Sequence, residues 1–175
     1  KQLQDIVKVE AGENVSFAIT SKGKVYAWGN GYSSRAQLLD LPENEVDITS
    51  KYVLTGDGKV YNILTKEQLP IVGKIVDLDE GTNHTVMLTN DGKAYAIGDN
   101  TYGQLGDGTT ANTTKFHKVK GENGVGYLQN IVQIVSEDHT SHALTADGSV
   151  YSWGYNYYGQ FGINKGTGED ANPYP

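Results

Sequence analysis

The sequence predicts an all-β fold assembled from tandem antiparallel modules, and three observations carry that expectation. A hairpin pattern recurs four times along the 175 residues. Each copy turns at Asp-Gly or Lys-Gly, where glycine supplies the positive φ that a tight hairpin needs. The composition, with 22 glycines and 12 tyrosines against one methionine, favours turns and aromatic strands over helix bundles.

The first copy runs Gly12-Glu13-Asn14-Val15-Ser16-Phe17-Ala18-Ile19-Thr20, turns at Ser21-Lys22-Gly23 and continues Lys24-Val25-Tyr26-Ala27-Trp28-Gly29. The second is shorter and eroded: Tyr52-Val53-Leu54-Thr55, Gly56-Asp57-Gly58 and Lys59-Val60-Tyr61 are followed by Asn62-Ile63-Leu64. The third holds Gly81-Thr82-Asn83-His84-Thr85-Val86-Met87-Leu88-Thr89, Asn90-Asp91-Gly92 and Lys93-Ala94-Tyr95-Ala96-Ile97-Gly98. The fourth reads His139 to Thr145, Ala146-Asp147-Gly148 and Ser149-Val150-Tyr151-Ser152-Trp153-Gly154 in the same register. The threonines at 20, 55, 89 and 145 are 35, 34 and 56 residues apart, so a compact hairpin alternates with a connection of variable length.

Strand alternation puts Tyr26 and Trp28 on one face and Val25 and Ala27 on the other. Both faces are largely apolar, as expected of a sheet covered on each side. Apolar segments before three of the hairpins, at 5–9, 74–78 and 130–135, supply a third strand. Thr114 to Val119 supplies a fourth, and four antiparallel strands make the blade of a β-propeller. The chain is therefore expected to be one repeat domain over 1–175, with copies at 1–43, 44–70, 71–123 and 124–175.

Two further runs, Asp99-Asn100-Thr101-Tyr102-Gly103-Gln104-Leu105-Gly106-Asp107-Gly108 and Tyr155-Asn156-Tyr157-Tyr158-Gly159-Gln160-Phe161-Gly162, follow the Ile-Gly and Trp-Gly endings directly. Joined to the Thr-x-Asp-Gly-x-Val-Tyr-x-Trp-Gly core, they resemble the repeat of the regulator of chromosome condensation family. The first copy departs from it: Asn30-Gly31-Tyr32-Ser33-Ser34-Arg35-Ala36-Gln37-Leu38 has one extra residue and no Gly before Gln. The resemblance covers nearly all of the chain and implies a propeller, usually of seven blades of roughly 50 residues. Four copies imply an incomplete propeller or part of a larger one. The start at Lys1-Gln2-Leu3-Gln4, without Met, fits a segment of a longer parent or a processed product, and the end at Asn172-Pro173-Tyr174-Pro175 falls where a further strand is expected. The family's roles range from nucleotide exchange on a small GTPase through ligase adaptors to secreted inhibitors and surface proteins. The basic tail and inserted wing of the exchange factor have no counterpart here.

The formal net charge of −7 and acidic clusters such as Asp40 to Asp47 and Asp77 to Glu80 argue against nucleic acid as a partner. The absence of cysteine removes disulfides and thiolate metal sites. No apolar run approaches the roughly 20 residues of a membrane helix, so no membrane insertion is expected. Compartment is open, and a secreted or cell-surface parent fits the acidic balance better than a nuclear regulator.

No Gly-x-Ser-x-Gly elbow, phosphate loop or paired carboxylate motif occurs, so the chain reads as non-enzymatic and without a cofactor. The pair His139-x-x-His142 falls short of a metal cluster, His142 occupying the strand position of Phe17 and Val86, while the family resemblance implies a turn-stabilising role for His84. Asp91, Asp99, Asn100 and Asp107 fit no calcium loop, and Asn100 and Asn156 read as turn residues. Glycines 29, 98, 103, 106, 154, 159 and 162 recur between copies and mark scaffold. Loop positions that differ between copies are free to serve a partner, which nominates Arg35, Asp99, Thr101, Tyr155 and Tyr157 as binding residues; Tyr and Arg are enriched at protein interfaces. The expected function is a protein-interaction module presenting a loop face to a protein or a glycan. The alternative is a structural subunit that pairs with further copies of itself in a ring or fibre.

Overall fold

A computed structural model describes residues 3–12, 14–42, 44–163 and 171–175. Lys1 and Gln2 of the chain start, Glu13 of the first hairpin and Glu43 of the acidic cluster lie outside the described residues. The chain divides into two compact units, Lys1–Ile75 and Val76–Pro175. Each is built of antiparallel sheets, as the sequence predicts, and no helix among the described residues is long and apolar enough to cross a membrane.

In the first unit, β1 (Ile6–Ala11), β2 (Val15–Thr20), β3 (Val25–Gly29) and the two-residue β4 (Gln37–Leu38) form a sheet in sequence order. A second sheet holds β5 (Glu45–Ile48), β6 (Tyr52–Thr55) and β7 (Val60–Asn62). Phe17, Ile19, Val25 and Ala27 of the first sheet pack with Ile48, Val53 and Ile63 of the second. Burying each large aliphatic side chain is worth about 1.5–3 kcal/mol, more than the net value of a typical hydrogen bond. Side-chain packing therefore holds the sheets together, while hairpin bonds set their register. The face of Val25 and Ala27 is fully buried, whereas Tyr26 and Trp28 are only half-buried.

Strand β5 is not legible in the sequence, because it lies in the acidic cluster. Glu45 and Asp47 are nevertheless buried. The Asp47 carboxylate accepts from the Lys8 ammonium at 2.5 Å and from the Ile48 N–H at 2.8 Å, which offsets the cost of removing it from water. Burial lowers the affinity of Lys8 for its proton, but the bonds to Asp47 and Glu10 outweigh it and hold its pKa above the ordinary lysine value.

The second unit begins its first sheet with β8 (Ile75–Glu80), whose first residue marks the boundary, followed by β9 (His84–Thr89), β10 (Ala94–Gly98) and β11 (Thr113–Lys118). After a 3-10 turn at Glu122–Gly124 comes a sheet of β12 (Ile131–Glu137), β13 (Thr140–Thr145) and β14 (Val150–Gly154). Val86, Leu88, Ala94 and Ala96 meet Ile131, Ile134, Ala143 and Trp153 in one buried cluster. Residues 171–175 make a single bridge, Asn172 to Gly154, rather than a strand.

The recurring threonines lock the hairpins. Thr55, Thr89 and Thr145 donate to the Asp two residues on at 2.6, 2.6 and 2.7 Å, and each Oγ1 also lies 3.0 Å from the carbonyl four residues on. The turn glycines do more than supply positive φ. Gly92 accepts the Ile131 N–H at 3.0 Å, and Gly23 accepts the Glu45 N–H at 3.3 Å, so each turn carbonyl anchors the first strand of the following sheet.

Candidate functional site

In an antiparallel sheet, alternate connections share an end. In the second unit the β8–β9 turn, the β10–β11 loop, the β12–β13 turn and the chain after β14 therefore lie at the end opposite the Asp-Gly hairpins. This loop end is fastened by glycines that only a missing Cβ allows: a Cβ on Gly98 would lie 2.3 Å from the Asn83 carbonyl, and one on Gly154 would lie 2.4 Å from that of His139.

Beyond each glycine the loop closes on a buried asparagine. Asn100 accepts the Leu105 N–H and Asn156 the Phe161 N–H, both at 2.9 Å. The Asn100 amide also donates to Asp107 Oδ1 at 3.1 Å and to the Thr109 carbonyl at 3.0 Å. Both asparagines act in their turns, as the sequence predicts, but reach five residues ahead. The Gln of each Tyr-Gly-Gln run accepts the backbone N–H of that tyrosine, Gln104 from Tyr102 at 2.9 Å and Gln160 from Tyr158 at 3.0 Å.

Gln104 is buried and central. Its side-chain amide donates to Asp99 Oδ2 at 2.9 Å, and its carbonyl accepts Ser141 Oγ at 3.0 Å and Trp153 Nε1 at 2.9 Å. Burial would raise the Asp99 pKa, but the Thr101 hydroxyl and N–H, the Gln104 amide and the neighbouring His139 outweigh it and hold the carboxyl below the usual range. Asp99 is thus a fixed anion at neutral pH.

On this base sits a continuous aromatic surface. The Tyr102 ring lies 4.8 Å from Tyr155 and 5.2 Å from His139. Tyr155 and Tyr157 are parallel within 6° at 6.1 Å, and Tyr158 stands edge-on to Tyr157 at 4.9 Å. His139 is flanked by carboxylates, its Nδ1 3.9 Å from Asp99 and its Nε2 3.5 Å from Asp138. Asp138 is in turn held by the Thr82 hydroxyl at 3.0 Å and Thr82 N–H at 2.8 Å, the latter reaching its carbonyl. Aromatic spacings of this kind fall within the favourable range of ring pairs.

Of the sequence-nominated residues, Asp99, Thr101, Tyr155 and Tyr157 share this end of the second unit. Thr101 is exposed and serves Asp99, donating its hydroxyl at 2.7 Å. Arg35 belongs to the first unit, exposed in the β3–β4 loop with its N–H on Ser33 Oγ at 3.2 Å. Sequence reasoning missed Tyr102, Gln104, Tyr158 and His139. The first three repeat between copies and so look like scaffold, and His139 stands in a turn whose neighbours are set by a different module. His84, the first residue of β9, is buried, with Nε2 2.8 Å from Ser141 Oγ. His142 pairs with Ser152 Oγ at 2.8 Å, and burial lowers its pKa. Among the described residues no group of three or more His, Cys, Asp or Glu is arranged to hold a metal ion.

Residues 6–35, 75–104 and 131–160 match the Regulator of chromosome condensation (RCC1) repeat, and a second description of that repeat matches 91–144 and 147–175. Protein pim1 of Schizosaccharomyces pombe is 34% identical over 164 residues, covering 87% of this chain and 28% of pim1. The ultraviolet-B receptor UVR8 of Arabidopsis thaliana is 30% identical over 160 residues, 90% of this chain and 31% of the receptor. The chain thus spans less than a third of the length of these curated relatives. Among solved structures, human WBSCR16 superposes with a TM-score of 0.76 at 19% identity over all of this chain and 54% of its own. Prp20p of Saccharomyces cerevisiae, whose structure was described with its binding to Gsp1p and histones, gives 0.72 at 20% identity over 97% of this chain and 49% of its own. The four sheets are propeller blades matching about half of such a propeller, and the chain belongs to the regulator of chromosome condensation (RCC1) repeat family.

Proposed function

We propose that this chain is a non-enzymatic interaction module that presents the loop end of its blades to a protein partner. The observation that carries the reading is the aromatic surface of Tyr102, His139, Tyr155, Tyr157 and Tyr158, with Tyr158 81% and Tyr157 45% exposed. Rigid tyrosines bury much area at low entropic cost and are favoured at interfaces. The loops beneath them are fixed by buried asparagine and glutamine, so the surface is ordered before any partner arrives. Relatives support a binding role of this kind: Prp20p was described with Gsp1p and histones, and yeast RCC1 was solved bound to Kap60.

Quantitative capture of partners by the whole chain tests this, comparing wild type with the double variant Tyr155→Ala, Tyr157→Ala and with a variant at the opposite end, Asp91→Asn. A partner lost only with the first, and binding in the same manner when purified, supports the reading. Capture indifferent to the loop variant overturns it.

A second reading, assembly of copies side by side, draws on the outer face of the last sheet. Val150 is 67% and Val135 42% exposed, whereas Ala94, the counterpart of Val150 in the third copy, is completely buried against the next sheet. Light scattering across a concentration series tests it: a monomer at every concentration removes this reading.

A further inference from the structure

We infer that the first sheet of one copy of this chain docks on the last sheet of a second copy, through a joint that repeats the one inside the second unit. The inference rests on the assembly reading above and names the residues that meet.

The internal joint, between the sheet β8–β11 and the sheet β12–β14, has three parts. The Gly92 carbonyl accepts the Ile131 N–H at 3.0 Å. The Gln104 carbonyl accepts Ser141 Oγ at 3.0 Å and Trp153 Nε1 at 2.9 Å. Ile134 and Trp153 pack with Leu88 and Ala94 in the buried cluster.

The incoming half of this joint has its counterpart at the start of the chain. Aligned on the turn threonines, Ile6 stands for Ile131, Val9 for Ile134, Ser16 for Ser141 and Trp28 for Trp153. Val9 pairs with Ala18, and Ser16 with Trp28, so alternation sets all four on the face opposite Phe17 and Val25, which pack on the second sheet. That face is open: Val9 is 68% exposed where Ile134 is 3%, and Trp28 is half-buried where Trp153 is enclosed. The backbone is already in the docked form. Asp5 has φ 58°, as Asn44 and Asn130 have 70° and 57°, and those two asparagines abut the preceding turn, a Cβ on Gly23 or Gly92 lying 2.6 or 3.1 Å from their Cα atoms.

The receiving half has its counterpart at the last sheet, where Gly148, Val150 and Gln160 stand for Gly92, Ala94 and Gln104. A Cβ on Gly106 would lie 2.8 Å from Trp153 Nε1, whereas one on Gly162, its counterpart, meets nothing within 4 Å among the described residues, and neither does one on Gly148. Gln160 is exposed where Gln104 is buried. The hairpin ends are also complementary in charge. Asp57 and Asp91 each pair with the lysine two residues on, but Asp147 is followed by Ser149, while the first hairpin carries Lys22 and Lys24 and no aspartate. Such charges favour unlike ends over like ends, and the contact is heterologous. In it Ile6 N–H meets the Gly148 carbonyl, and Ser16 and Trp28 donate to that of Gln160.

The test follows the mass of the whole chain by sedimentation equilibrium. Wild type is expected to associate, and Val9→Lys and Val150→Lys, both at exposed positions, are each expected to weaken association at least about tenfold by burying an unpaired charge. Trp28→Phe is expected to weaken it about three- to tenfold through the lost donor. Leu64→Lys, an exposed apolar position on neither face, is expected to change nothing. An equimolar mixture of Val9→Lys and Val150→Lys chains is expected to recover a mass of two chains, because one intact start meets one intact end. A monomer at every concentration overturns the assembly reading and this inference together. Association indifferent to Val9→Lys or Val150→Lys leaves assembly standing and overturns the joint, as does failure of the mixture to recover, which marks a contact between like faces.

Discussion

Trp153 donates its indole N–H to the backbone carbonyl of Gln104 at 2.9 Å, joining the last strand of one sheet to the loop that leaves the other. The same carbonyl accepts Ser141 Oγ at 3.0 Å, so the loop carrying Tyr102 and Asp99 is clamped from below by two residues of the neighbouring sheet. Trp153 is also fully buried in the core cluster of the second unit. Trp153→Phe removes the donor and leaves a small void, and is expected to cost about 1–3 kcal/mol. Trp153→Ala is expected to cost about 3–5 kcal/mol. Urea denaturation measures both. A Phe variant of unchanged stability would mean that the indole bond adds nothing.

The glycines before the loops make a sharper case. Gly98 has φ 122° and Gly154 φ 98°, and an added Cβ would press on a neighbouring backbone carbonyl at 2.3 and 2.4 Å. Neither the dihedral nor the contact can relax through a flexible side chain. Gly98→Ala and Gly154→Ala are each expected to destabilise the chain by at least about 2 kcal/mol, whereas Gly148→Ala, with φ 88° but open space around it, pays only for the dihedral. The ranking of the three variants in thermal melts checks the distinction between strain and collision.

Asn100 is enclosed, and its oxygen and nitrogen have opposite tasks. Asn100→Ala frees the Leu105 N–H and the partners at Asp107 and Thr109, with an expected cost of about 2–3 kcal/mol. Asn100→Asp keeps the acceptor but turns the donating side into an oxygen facing the Asp107 carboxylate, which is itself only 6% exposed. That variant is expected to be the less stable of the two at pH 7 and to recover part of the loss at pH 4, where a carboxyl can be protonated and donate. Urea midpoints at the two pH values decide it.

The hairpins, the strand before most of them and the fourth strand at Thr113–Lys118 were legible because their signals are local: a glycine in a turn, a threonine before it, apolar residues in alternation. Strand β5 was not, because Glu45 and Asp47 carry the charge of a surface and are buried only through contacts such as that of Lys8, 39 residues away from Asp47. The site divides along the same line. Comparison between copies nominated Asp99, Thr101, Tyr155 and Tyr157, since these vary against a constant frame. It passed over Tyr102 and Tyr158 because a repeated tyrosine in a scaffold motif gives no sign that its ring meets Tyr155 or Tyr157. His139 joins them from a turn of the next module, a proximity that exists only after two sheets have packed.

The hairpin turns also set a pH response that can be read at one residue. Asp57 is exposed, yet its carboxyl is lowered to about 2, first by the Lys59 ammonium at 2.6 Å and then by the Thr55 hydroxyl at 2.6 Å. An unfolded aspartate titrates near roughly 3.9. The folded value is the lower one, so the turn's contribution is complete above about pH 4 and is lost as pH falls toward 2. Carboxyl NMR is expected to give a midpoint near 2 for Asp57 in the folded chain. Lys59→Met is expected to raise that midpoint more than Thr55→Val does, because the lysine is the larger cause, and added salt is expected to raise it in the wild type by screening the exposed pair. A midpoint indifferent to both substitutions would show that the turn backbone alone, through the Lys59 N–H, holds the carboxylate.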